Sequence, residues 1–175
     1  IGNGFVGSSV AFGFSPQTGC DAKVKIYDKD ETKSTHSLTE VVNDSDYIFL
    51  SVPTPSNQDG SISLDIIDKV FEDIDNALDY KKDNQPVILL RSTVTPGTTK
   101  KIQQKYPKMG IVFNPEFLTE RSAKFDFINQ SRFIVGGNWG DTTRVEHLYQ
   151  WRFGESIPII KTNYATAEMI KYMNN

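Results

Sequence analysis

The alternation of short apolar runs with amphipathic stretches constrains this chain more than any other feature. Val24–Tyr27, Tyr47–Val52, Val87–Leu90, Ile111–Phe113, Phe133–Val135 and Ile157–Ile160 are brief, mostly apolar segments, the mark of strands buried on both faces. Helical patterns lie between them. Over Leu64–Tyr80, residues Ile66, Ile67, Val70, Phe71, Ile74, Ala77 and Leu78 fall on one face, with Ser63 at the N-cap position and Asp65 in the first turn. Further helices are predicted over Ser8–Phe14, after Thr95 with Pro96 at the first helical position, and over Asp141–Phe153 and Asn163–Asn175. This order specifies an α/β fold: a doubly wound, mainly parallel sheet with helices on both faces. Ligands of such sheets collect beyond the carboxyl ends of the strands, so the loops there carry the functional question.

The first of those loops is Ile1-Gly2-Asn3-Gly4-Phe5-Val6-Gly7, a G-x-G-x-x-G fingerprint opening a helix. Gly2 makes the turn, Gly4 lets the backbone approach a pyrophosphate, and Gly7 permits close helix–strand packing. The phosphates then rest on the helix N-terminus. Glycine-rich turns are common, but Asp28 ends the next strand about 20 residues on, where a ribose-binding acid belongs. An acid there prefers a free 2′-hydroxyl, which selects NAD over NADP; Lys29 and Lys33 pull the other way. The fold is therefore read as Rossmann-like.

Three more loops lie on the same edge. Pro53-Thr54-Pro55 follows one strand directly. Arg91-Ser92-Thr93-Val94-Thr95-Pro96-Gly97-Thr98-Thr99 joins a buried strand to a helix N-terminus, where hydroxyls and free N–H groups suit an anion, a nicotinamide amide or a sugar hydroxyl. For Thr98 and Thr99 an ordinary capping cluster is the better reading. In Asn114-Pro115-Glu116-Phe117-Leu118-Thr119-Glu120, Pro115 stops the strand and forces a turn, leaving Glu116 and Glu120 just past it. Lys171 and Asn175 share one face of the last helix; spacing alone reads them as a solvated pair.

Composition removes other classes. The 175 residues, with 38% hydrophobic content, suffice for one full core. A net charge of −3 argues against nucleic acid or an anionic membrane as main partner. No apolar run approaches a membrane span and no signal peptide is visible. With Cys20 the only cysteine, disulfides within the chain are impossible and a cytoplasmic location is expected. His36 and His147 are far apart and lack cysteine partners, so no metal site is expected.

Together these residues resemble the nucleotide-sugar 6-dehydrogenase family. The matching pieces run in family order: Gly2 to Gly7, Val52-Pro53-Thr54-Pro55, Ser92-Thr93-Val94 with Pro96-Gly97-Thr98, Asn114 to Leu118, and Arg132 to Gly136. The resemblance implies NAD-dependent oxidation of a sugar C6 alcohol to the carboxylate by two hydride transfers, with UDP-glucose the favoured substrate. It implies that Glu116 is a general acid/base, that Thr93 lies beside the reacting centre, and that Lys171 and Asn175 stabilise the C6 oxyanion. Gly2, Gly4, Phe5, Val6, Gly7, Asp28, Lys33, Pro53, Thr54, Ser92, Thr93 and Glu120 are then expected at the cofactor. Glu116, Phe117, Leu118, Lys171 and Asn175 are expected at the substrate.

The family's cysteine nucleophile belongs to a second domain, and Cys20 cannot stand in for it. The expected division is a cofactor domain over residues 1–161, with its first strand truncated, and the start of a connecting helix over 162–175. A homodimer formed through downstream residues is expected. Two departures stand out: the stretch from Lys29 to Ser45 is short, implying a lost helix, and Arg121 stands where glycine is usual. The alternatives are a cofactor-binding module without catalysis of its own, and a related β-hydroxyacid dehydrogenase.

Overall fold

The computed structural model describes residues 1–174. One sheet holds β1 (Tyr47–Leu50), β2 (Val87–Leu90), β3 (Gly110–Phe113), β4 (Phe133–Gly137) and β5 (Ile159–Thr162), in that spatial order. Every neighbouring pair is parallel except β3 and β4. The helices are α1 (Phe5–Gly13), α2 (Leu38–Asn43), α3 (Asp65–Ala77), α4 (Thr98–Lys105), α5 (Ala123–Ile128), α6 (Trp139–Phe153) and α7 (Tyr164–Asn174).

The period of two along each strand divides the core into two layers. Ile48, Leu50, Ile88, Leu90, Ile111, Phe113 and Ile134 face one cluster with Ile67, Phe71 and Ile74 of α3, Ile102 of α4 and Ala167 of α7. Phe49, Val87, Leu89, Val112, Phe133 and Val135 face the other, with Val10 of α1, Phe127 of α5 and Val145 and Tyr149 of α6. Helices thus cover both faces, as the alternation requires. Gly136 brings α7 close to the sheet: a Cβ there would stand 2.6 Å from Ala167 Cβ and 2.7 Å from Asn163 O.

Several local expectations are corrected. Val24–Tyr27 forms no strand. The backbone beside it is the single step Ile1–Gly2, which bonds Ser51 N–H to Ile1 O (2.9 Å) and Gly2 N–H to Tyr27 O (2.9 Å). Ile1 and Gly2 alone supply too few bonds to Tyr27 for a ladder. In α3 the N-cap is Leu64, and the Ser63 hydroxyl accepts only a long bond (3.4 Å) from Asp65 N–H. Pro96 does not begin a helix, because Gly97 at φ +94° turns the chain left-handed and α4 starts at Thr98. The short Lys29–Ser45 stretch retains a helix, α2, closed by a Ser37–Glu40 capping box.

Candidate active site

The carboxyl ends of β1, β2 and β3 and the Gly2–Gly7 turn open onto one cleft of about 960 Å³. That lies near the upper end of the range for small-molecule sites, roughly 300–1,000 Å³. Asp28, Lys29 and Lys33 line it, as do Gly4, Phe5 and Val6, Pro53 and Thr54, and Ser92, Thr93 and Glu116. The predicted cofactor residues therefore share one surface, although they come from loops spread over most of the chain. The exceptions are Gly7 and Glu120.

The glycine turn fits a dinucleotide. Gly2 has φ +83°, and a Cβ there would stand 2.2 Å from Ser51 O. A Cβ on Gly7 would stand 1.8 Å from Gly2 O, so Gly7 packs the turn from beneath. A Cβ on Gly4 would meet nothing within 4 Å. No protein contact demands glycine at that position, whereas a phosphate approaching the backbone at the α1 N-terminus would.

Asp28 is held by the same turn. Its Oδ2 accepts Asn3 N–H (2.6 Å) and its Oδ1 accepts Asp30 N–H (2.9 Å). Partial burial pulls the Asp28 carboxyl up, but these two amides and the Lys33 ammonium outweigh it and hold the pKa below the usual aspartate value. Two lone-pair sites remain for ribose hydroxyls. Lys33 pairs with Asp30 (3.6 Å), and its carbonyl accepts Asn3 Nδ2–H (2.9 Å).

At the far end of the cleft stands a buried ion pair. Lys171 of α7 donates to Glu116 Oε1 (2.9 Å) and to Glu116 O (2.6 Å), while Leu118 N–H donates to Glu116 Oε2 (2.7 Å). The two side chains are 5% and 10% exposed. Among the bonds given for the described residues, Lys171 uses two of its three N–H donors and Glu116 leaves lone pairs unused. Thr93 is half-buried on the same cleft. Asn114 is fully buried beneath this corner: its Oδ1 accepts from Arg91 Nη1 (2.5 Å) and Tyr149 Oη (2.5 Å), and its Nδ2 donates to Ile134 O (2.8 Å). Asn114 is thus an anchor for the loop, and Glu116 is the residue of it that faces the cleft. Burial pushes the Tyr149 hydroxyl up to about 12, against the pull of Arg91 and Asn114.

The Ser92–Thr99 loop differs from expectation. The Ser92 hydroxyl donates to Val52 O (2.7 Å) and accepts Val52 N–H (3.1 Å), tying two loops together. The N–H groups expected to await an anion are already taken. Glu168 of α7, fully buried, accepts Gly97 N–H (2.6 Å) and Thr99 N–H (2.7 Å). Phe117 is exposed, with Lys171 Nζ 5.7 Å from its ring centroid. Leu118 packs its side chain into the cluster beneath α5 and offers the site its amide. Glu120 is exposed and does not line the cleft. Asn175 lies outside the described residues.

Sequence reasoning missed Arg91 and Glu168 as parts of this region. Arg91 is buried among Phe49 and Phe127, with its guanidinium carbon 5.9 and 5.8 Å from their ring centroids. A basic residue in an apolar strand end was the available signal.

The sequence pattern of the NAD-binding domain of the UDP-glucose/GDP-mannose dehydrogenase family matches residues 17–152. This chain belongs to that family. NAD is accordingly its cofactor, and the β-hydroxyacid dehydrogenase alternative falls away. Among relatives of this NAD-binding domain, UDP-glucose 6-dehydrogenase AglM of Haloferax volcanii is 32% identical over 168 residues, covering 87% of this chain and 38% of the relative. UDP-glucose 6-dehydrogenase TuaD of Bacillus subtilis is 35% identical over 149 residues, covering 81% and 31%. The crystal structure of a ternary complex of GDP-mannose dehydrogenase from Pseudomonas aeruginosa superimposes with a TM-score of 0.78 at 26% identity, over 98% of this chain and 47% of that one. The chain thus spans about a third of the length of these curated relatives.

Proposed function

We propose that this chain forms the cofactor side of an enzyme that oxidises the C6 alcohol of a nucleotide sugar, UDP-glucose foremost, to the carboxylate in two hydride transfers. The buried Glu116–Lys171 pair at one end of the NAD cleft carries this reading. NAD, when bound, takes up the hydride. Gly2, Gly4 and Asp28 hold the dinucleotide along the α1 end. Glu116 is the acid/base: its carboxylate has lone pairs free for a proton, and the Leu118 amide and the Lys171 ammonium fix its orientation. Lys171 directs its remaining N–H at oxygen charge developing on C6, with Asn175 as the second donor. Thr93 borders the same space.

The names of the relatives support a nucleotide-sugar substrate and UDP-glucose in particular. In this reading residues 1–161 are the cofactor domain, and 162–175 begin a helix leading to the substrate half and to a dimer contact. Cys20 as the chain's lone cysteine supports a reaction in the cytoplasm. A second reading rests on the fraction of its relatives that the chain spans: by itself it binds NAD without oxidising a sugar.

The test uses the complete enzyme. Two NADH per nucleotide-sugar acid are expected, and Glu116→Gln should lower kcat by about 10²–10⁴ with NAD affinity nearly unchanged. Unaltered turnover in that variant would remove Glu116 from the chemistry.

A further inference from the structure

The buried face of α7 carries Ala167, Glu168 and Lys171. Two opposite charges three residues apart on one helix face are neighbours, yet they form no ion pair with each other among the described residues. Each instead reaches a different loop. Lys171 holds the Asn114–Leu118 loop through Glu116, 55 residues away. Glu168 holds the first turn of α4 through Gly97 and Thr99, 71 and 69 residues away.

The α4 N-cap, Gly97, has no side chain to offer. A carboxylate from α7 fills that role, and it suits the positive end of the α4 dipole. Burying a charge is unfavourable unless it is fully bonded, so an apolar residue at position 168 would pack at less risk. What the carboxylate adds is direction, because its two oxygens match two particular N–H groups.

We infer that Glu168 is a positioning residue, which locks the Thr93–Gly97 loop to α7 and thereby sets Lys171 and Glu116 in register with the Thr93 wall of the cleft. The inference rests on the reading of the Glu116–Lys171 corner as the place of chemistry. The physical coupling it asserts is measurable without turnover. Gln at position 168 keeps one acceptor but turns an NH₂ toward the second amide, so one of the two bonds becomes a donor–donor clash. Asp keeps the charge and shortens the reach.

The test compares the wild-type chain with E168Q and E168D. Three quantities are read: amide hydrogen exchange at Gly97 and Thr99, the rate of acetylation of Lys171 by limiting acetic anhydride, and NAD affinity by calorimetry. In E168Q both amides should exchange faster and Lys171 should acetylate at least tenfold faster, with the NAD Kd within threefold of wild type. E168D should fall between. Amides that open while Lys171 acetylates at the wild-type rate would make Glu168 a helix cap only and overturn the inference. Should E168Q fail to fold, the same comparison in E168D decides. In the complete enzyme, E168Q should lower kcat with little change in KM for NAD. If Glu116→Gln left turnover intact, the catalytic reading would fail while the labelling result still stood on its own.

Discussion

Removing the ammonium of Lys171 by Lys171→Met strands the Glu116 carboxylate in a buried corner, with the Leu118 amide as its one remaining protein donor among the bonds described. The side chains are 5% and 10% exposed, so solvent screens the pair little. Breaking a buried pair from one side costs about 3–5 kcal/mol. For a domain of this size each kcal/mol lowers Tm by about 2–4 °C, which gives a drop of about 6–20 °C. Glu116→Gln strands the ammonium in turn, although Glu116 O still accepts from it. In the double variant no charge is left unpaired, and the Gln oxygen can keep the Leu118 N–H. The double variant should therefore lose less than the sum of the singles, with a coupling of about 2–3 kcal/mol. Urea unfolding at pH 7 without NAD measures this, provided the m-value stays constant. Additivity within about 0.5 kcal/mol would refute the claim that the two groups support one another.

Gly4→Val should leave stability within about 0.5 kcal/mol, since a Cβ there meets nothing, yet should weaken NAD binding at least tenfold by calorimetry. Gly2→Ala, at φ +83° and 2.2 Å from Ser51 O, should instead give little folded protein by circular dichroism. Asp28→Asn should raise the NAD Kd by about tenfold, a loss of roughly 1.4 kcal/mol. Because the Asp28 pKa is depressed, wild-type affinity should hold as pH falls through the ordinary aspartate range and decline only below it. Tyr149 and Tyr164, both pushed up to about 12, should ionise late in a 295 nm titration. A raised tyrosine pKa favours the folded state below the unfolded value near 10, and that contribution is lost as pH rises toward 12. For the fully buried Tyr149 the slope is about 1.4 kcal/mol per pH unit, and Tyr149→Phe should remove it.

What was legible in the sequence was what local periodicity encodes. The runs that became β2, β3 and β4 are apolar because both faces of the sheet are covered there, and the glycine turn announced itself through spacing. Val24–Tyr27 misled, because its apolar pattern was right but a strand also needs a ladder partner. Ser37-Leu38-Thr39-Glu40 is a capping-box signature and was readable. α5 spans six residues, too few for a helical period to show. Lys171 looked like any surface lysine because spacing fixes which face of α7 it shares, not that Glu116 waits there. Glu168 was opaque for a similar reason, and Arg91 showed only as a basic residue at an apolar strand end. Their partners lie far off in the sequence, 71 and 69 residues for Glu168 and 23 and 58 for Arg91, and contacts between distant residues leave no periodic trace.

The most direct test of the central claim is a crystal structure of this chain with NAD. In that crystal the adenosine ribose should lie on the Asp28 carboxylate, the pyrophosphate over Gly4 and the α1 N-terminus, and the nicotinamide beside Thr93, toward Glu116 and Lys171. NAD seated instead in the smaller cavity of about 530 Å³ between Val24–Ile26 and Tyr47–Phe49, or with its nicotinamide turned away from Glu116, would contradict it.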